Sequence, residues 1–173
     1  LNESVSAHRS CCPFTLSFSL EHSQIMALVE LFGETLHGAG GAEVATSTLA
    51  GSGRYVGLYF SAHWCPPCRM FTPELAEFYD EFTKKDGNQG KLEIVFVSSD
   101  QSQEDFDGYF KDMPWLSLPY VDRERKGKLG TKFSVEGIPT FIIIDSVTGA
   151  IVCSKARDEV MDDPEGEDFP WKK

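Results

Sequence analysis

The residues of this chain best suited to chemistry are Cys65 and Cys68, in the run Trp64-Cys65-Pro66-Pro67-Cys68. A thiol acts as a nucleophile only as thiolate, and the N-terminus of a helix favours that form through its unpaired N–H groups and dipole. The spacing then assigns roles. Cys65, at or just before the first helical turn, attacks a substrate disulfide. Cys68, three residues on and less exposed, resolves the mixed disulfide that results. Pro66 and Pro67 fit a helix start, where the first N–H groups have no partner to lose. The bland alternatives are half a zinc site, a structural disulfide, or inert thiols. Zinc wants four ligands, and the chain has no second CxxC and no HxxxH, so no metal is expected.

The elements that must hold this pair are legible on both sides of it. Tyr55 to Phe60 reads as a buried strand, Ser61-Ala62-His63 as a turn, and Pro66 onward as a helix. Phe71, Leu75, Phe78, Tyr79 and Phe82 recur at helical spacing to a stop near Lys84-Lys85, with Pro73 expected to kink the helix. A strand–CxxC–helix junction is the context that favours redox chemistry over zinc. Leu92 to Val97 reads as a strand buried on both faces. Asp100 or Ser102 caps a helix from Gln103 to Lys111 that turns Phe106, Tyr109 and Phe110 inward, and Arg123 to Phe133 forms another helix. Thr140 to Asp145 and Ala150 to Ser154 read as antiparallel strands about the turn at Val147-Thr148-Gly149. The result is an α/β fold, a mixed central β-sheet flanked by helices on both faces.

Ile138-Pro139, just ahead of the strand from Thr140, is the second half of the candidate site. A cis bond there would expose the backbone of the preceding residue to an extended substrate peptide; the plain alternative is a trans proline that begins a strand. Trp64, in a turn beside the reactive thiol, is read as contact surface. Substrate contacts are therefore assigned to Trp64, Pro66, Pro67, Ile138 and Pro139. Cys153, in an apolar strand, reads as a small buried hydrophobe.

Toward the N-terminus the reading is coarser. Residues 1–23, with Cys11 and Cys12, are expected to be a weakly ordered leader. Gln24 to Leu36 has helical spacing behind Ser23 as a cap, followed by a flexible Gly38-Ala39-Gly40-Gly41 connector and a short strand near Glu43. The domain is placed at 24–157. From Arg157 onward seven acidic residues stand against three basic ones, so 158–173 is read as an acidic tail or solvated linker.

Composition narrows the function classes. A net charge of −11 disfavours nucleic acid, whose phosphates need a basic face. No window approaches the ~18 consecutive apolar residues of a membrane span. Five cysteines at irregular spacing make a poor disulfide framework and favour a reducing intracellular compartment.

Taken together, strand, Trp-Cys-X-X-Cys, helix and Ile-Pro resemble the thioredoxin superfamily. The run from Val56 to Arg69 closely resembles nucleoredoxins and, more distantly, tryparedoxins. So do Leu92 to Asp100, Asp112-Met113-Pro114-Trp115-Leu116, and the ending Asp162-Asp163-Pro164-Glu165-Gly166 with Phe169-Pro170-Trp171. This resemblance implies a thioredoxin fold and a protein-disulfide reductase of cytosol and nucleus, acting as a monomer. No bound cofactor is implied; electrons would come from an external donor, an NADPH-linked reductase or a small thiol. It also implies redox-dependent binding of signalling proteins, Dishevelled among them, so a redox-sensitive binding module with little turnover is the second reading. Against plain thioredoxin, the buried acid beneath the site would fall at Tyr59 and the lysine near it roughly at Phe96, so both charges are missing here.

Overall fold

The computed structural model describes residues 25–172, so the 1–23 leader, Cys11, Cys12 and the Ser23 cap lie outside the described residues. Seven strands form one mixed sheet in the spatial order Glu43–Ala45 (β2), Thr35–His37 (β1), Leu116–Ser117 (β5), Leu92–Ser98 (β4), Tyr55–Ser61 (β3), Thr140–Asp145 (β6) and Ile151–Cys153 (β7). Its centre is β3 (Tyr55–Ser61), which pairs in parallel with β4 (Leu92–Ser98) and antiparallel with β6 (Thr140–Asp145). These three strands are the most apolar of the chain because both of their faces are covered. Beyond them lie β5 (Leu116–Ser117) and β7 (Ile151–Cys153), the latter antiparallel to β6.

Alternation along the strands sorts the core into two layers. Tyr59, Ile94, Phe96, Phe141 and Ile143 face α2 (Pro66–Lys84), α3 (Gln103–Phe110) and α5 (Ala156–Asp162). Val56, Leu58, Phe60, Val95, Val97, Ile142 and Ile144 face α1 (25–32) and α4 (Arg123–Lys132). Gly57 is fixed by the first layer: a Cβ there would stand 2.6 Å from the Phe141 ring.

Two expectations from the sequence need correction. The first helix stops at residue 32, not at Leu36. Gly33 takes a φ of 81°, a left-handed conformation that glycine tolerates, and its N–H donates to the Val29 carbonyl. Thr35–His37 is then β1, paired with β2 (Glu43–Ala45) on one side and β5 on the other. Leu36 is buried either way, which is why the helical period ran on to it.

The second correction concerns the acidic end. A boundary at 157 cuts through α5, whose Ala156 and Val160 are buried against the sheet. The chain beyond it is tied back to the domain, although most of its carboxylates stay at the surface. Trp171 is buried against Phe78 and Phe169, and its indole N–H donates to Asp163 Oδ2 at 2.8 Å. Burial works to raise the Asp163 carboxyl. The donors from Trp171, Asp168, Glu167 and Gly166 outweigh it and hold the group below the usual carboxylate range. Lys85 Nζ reaches Glu165 Oε2 at 2.6 Å. Charge density alone missed the aromatic residues spaced through this segment.

Among the described residues no helix is long and apolar enough to cross a membrane.

Candidate functional site

The turn after β3 sets the position of Cys65. Its N–H donates to the Ala62 carbonyl, and the His63 N–H donates to buried Asp100 Oδ1 at 2.7 Å. Asp100 is itself held by the Ser98 hydroxyl, which donates to Oδ2 at 2.7 Å. Cys65 is the N-cap of α2, with Pro66 and Pro67 in the first turn. Its Sγ accepts the Cys68 N–H at 3.3 Å, and its carbonyl accepts the Arg69 N–H. Cys65 and Cys68 are joined as a disulfide, their Cα atoms 5.2 Å apart. Once that bond is reduced, the same N–H and helix end favour charge on Cys65. Cys68 is wholly buried, while Cys65 keeps 4% of its surface.

The register of β6 against β3 brings the other half of the site alongside. Phe60 pairs with Thr140, so Pro139 lies next to the end of β3. The Ile138–Pro139 bond is cis. The Ile138 carbonyl oxygen is 3.8 Å from Cys65 Sγ, and its side chain packs with Ala62, Cys65 and Cys68. Trp64 is 53% exposed and tethered by its indole N–H to the Ser99 carbonyl at 3.0 Å. Pro66 and Pro67 are exposed and Pro139 is buried. All seven residues singled out from the sequence therefore sit in one place.

Beneath the disulfide the sequence reading was incomplete. Tyr59 and Phe96 are cross-strand partners, so the aromatic residues at the two positions implied for a charged pair are adjacent. The Tyr59 hydroxyl shares a hydrogen with Thr72 Oγ1 at 2.7 Å and points to the Cys68 carbonyl at 3.4 Å. Thr72 Oγ1 donates to that same carbonyl at 2.9 Å and bonds the Tyr109 hydroxyl, which in turn bonds Ser61 Oγ at 3.2 Å. Burial above all pushes the Tyr59 phenol above its ordinary pKa, so it stays neutral. Four hydroxyls thus stand beneath Cys68 in place of the implied charged pair. Thr72, Tyr109 and Ser61 had not been singled out for the site. A signal for them existed: a tyrosine turned inward on α3 needs a polar partner, and Thr72 lies one helical turn past Cys68.

His63 packs its ring against Tyr109, 5.4 Å between centroids. Arg69 lines a cavity of about 390 Å³ with His63, Thr72, Tyr109 and Asp112. Cys153 is buried in β7. Among the described residues no group of three or more His, Cys, Asp or Glu is arranged to hold a metal ion.

A family model described as thioredoxin-like matches residues 53–151. Tryparedoxin of Trypanosoma brucei brucei is 48% identical over 129 residues, covering 75% of this chain and 85% of the relative. Human nucleoredoxin is 44% identical over 131 residues, covering 76% of this chain but only 29% of the relative. Among solved structures, tryparedoxin II from C. fasciculata superposes with a TM-score of 0.79 at 38% identity, over 87% of this chain and 96% of that one.

Proposed function

The chain belongs to the thioredoxin-like oxidoreductases, in the branch of tryparedoxins and nucleoredoxins, and on that premise we propose that it reduces protein disulfides through Cys65 and Cys68. One observation carries the reading: Cys65 Sγ stands at a helix N-terminus, bonded to Cys68, within 3.8 Å of the carbonyl that precedes a cis proline.

The reaction follows from that geometry. The Cys65 thiolate attacks one sulfur of a client disulfide. The client S–S bond breaks, and its other sulfur leaves as thiolate and takes a proton from water. The client backbone beside the attacked sulfur lies along the Ile138 edge, with Trp64, Pro66 and Pro67 forming the rim. Cys68 then loses its proton and attacks Cys65 Sγ, the mixed disulfide breaks, and the second client sulfur leaves. The chain ends in the Cys65–Cys68 disulfide. Two electrons from an external donor, an NADPH-linked reductase or a small thiol, return it to the dithiol. We place this cycle in cytosol or nucleus, where thiols are kept reduced. Because the chain spans 29% of human nucleoredoxin, signalling partners such as Dishevelled remain a proposal for the longer proteins' context.

Insulin reduction tests the assignment. The intact chain is expected to reduce insulin with dithiol recycling, Cys65→Ser to give only the background rate, and Cys68→Ser to accumulate a mixed disulfide. Equal rates for the intact chain and Cys65→Ser would end the enzyme reading. Partner capture that changes between dithiol and disulfide forms, without turnover, would favour the binding module instead.

A further inference from the structure

Two cavities run away from the active site along the outer side of α2. The first, about 200 Å³, begins at Pro67 inside the Cys-Pro-Pro-Cys motif and is walled by Met70, Phe71 and Met161. The second, about 310 Å³, has Phe78 and Val160 at its base and Glu77, Glu81 and Glu165 along its rim. They share Glu74 and Met161, so they form one groove between α2 and α5. Met70 and Met161 are 75% and 54% exposed, although both are large and apolar. Unbranched, polarizable methionine suits a surface that meets varied apolar partners.

Charge changes along the groove. At the near end Arg157 is engaged over the Phe71 ring, 5.7 Å from its centroid. Further out, Glu74, Glu77 and Glu81 rise along one helix face, and among the described residues neither Glu74 nor Glu77 is paired with a cation. Lys84 bonds Asp80, leaving Glu81 only its field, and Lys85 is spent on Glu165. A largely apolar mouth at Pro67 of the Cys-Pro-Pro-Cys motif therefore leads into a negative trough with an apolar floor.

We propose that this groove receives the segment of the client polypeptide adjoining its disulfide: an apolar residue against Met70 and Met161, then basic residues over Glu74, Glu77 and Glu81. This deepens the protein-disulfide reading and rests on it. The spacing is fixed by geometry. From the start of α2 to Glu74 is roughly 12 Å and to Glu81 roughly 22 Å, at about 1.5 Å per helical residue. An extended chain covers that span in roughly four to seven residues. The basic residues therefore lie about four to seven positions from the client cysteine, on one side of it only.

The test uses peptides joined through one cysteine to thionitrobenzoate. Cys65 attacks the peptide sulfur and coloured thionitrobenzoate leaves. Ellman's reagent, which has no peptide but carries two carboxylates, reports the sulfur chemistry together with the chain's overall field. Two lysines at positions four to seven, on one side of the cysteine, are expected to give kcat/KM about ten-fold above two glutamates there. The preference should shrink with added salt and be absent when the lysines adjoin the cysteine. Glu74→Gln/Glu77→Gln/Glu81→Gln should abolish it while changing the rate with dianionic Ellman's reagent by no more than about two-fold. A preference that survives in this variant would come from the net charge of −11 and would overturn the groove, as would equal rates for both peptides. Dimerisation of the chain through these glutamates, with no peptide preference, would overturn it too. If Cys65→Ser consumed Ellman's reagent and peptides as fast as the intact chain, the underlying disulfide-reductase reading would fail instead.

Discussion

The two faces of the central sheet are built from different side chains. On the face of α2, α3 and α5, ten of the eighteen buried cluster residues are aromatic, Tyr59, Trp115 and Trp171 among them. On the face of α1 and α4, three of fifteen are, and aliphatic residues fill the rest. The CxxC helix lies on the aromatic side. Aliphatic side chains can only fill space, whereas tyrosine and tryptophan fill space and still carry a donor. On this face most of those donors are used, although the buried Trp115 indole N–H has no protein partner among the described residues. Tyr59 and Tyr109 brace the start of α2 under Cys68, and Trp171 ties the end of the chain to Asp163. One face supports; the other supports and also makes the polar floor of the site.

Trp171→Ala should give the largest change of stability. It empties a buried site and strands Asp163 without its indole donor, at a cost of about 3–5 kcal/mol, read from denaturant midpoints. The same hold should loosen in acid. The Asp163 pKa is lower in the folded chain than its ordinary 3.8, so the contribution is present above that value and lost as pH falls through the folded one. Trp171 fluorescence in the intact chain should therefore shift as pH falls below 3.8, whereas Asp163→Asn, whose tail is already loosened, should lack that acid step. A Trp171→Ala chain of unchanged stability would break the comparison at its outer edge.

Tyr59→Phe sharpens it at the centre. The ring remains, and only the hydroxyl shared between Thr72 and the Cys68 carbonyl is removed. The expected loss is about 1–2 kcal/mol of stability, with Thr72 still bonding that carbonyl. Alkylation of Cys65 should be unchanged, while release of the mixed disulfide by Cys68 slows by a few fold. Equal slowing of both steps would mean that the hydroxyls serve the helix as a whole and not the floor of the site.

How far this was legible in the sequence depends on whether a residue's role is set locally. The Cys-Pro-Pro-Cys helix start, the Ile138-Pro139 partner and the three central strands could be read because strand period, cap position and proline geometry are local properties. The hydroxyl floor could not be assembled, since Tyr59, Thr72 and Tyr109 lie on three elements and meet only after packing. The ends failed for opposite reasons. At Leu36 the apolar period continued past a Gly33 that had already turned the chain. At 158–173 charge hid the apolar residues: Phe169 and Trp171 are two side chains among many carboxylates, yet they decide that the segment packs.

Ile142→Val is the smallest perturbation and the control for the whole comparison. Ile142 is 2% exposed on the aliphatic face of β6, paired with Leu58 of β3. Its neighbours Phe141 and Ile143 point the other way, toward the aromatic face. Deleting one methyl group there should cost about 0.5–1.5 kcal/mol and lower the melting temperature by a few degrees. Nothing polar is touched, and the Ile138 carbonyl and Pro139 lie before the strand begins. Insulin reduction should therefore proceed at the unaltered rate well below the melting temperature. If Ile142→Val slowed turnover as much as Tyr59→Phe, the effect could reach the site only through β6 as a rigid body. The sheet, not the hydroxyls of one face, would then set the geometry of Cys65 and Cys68.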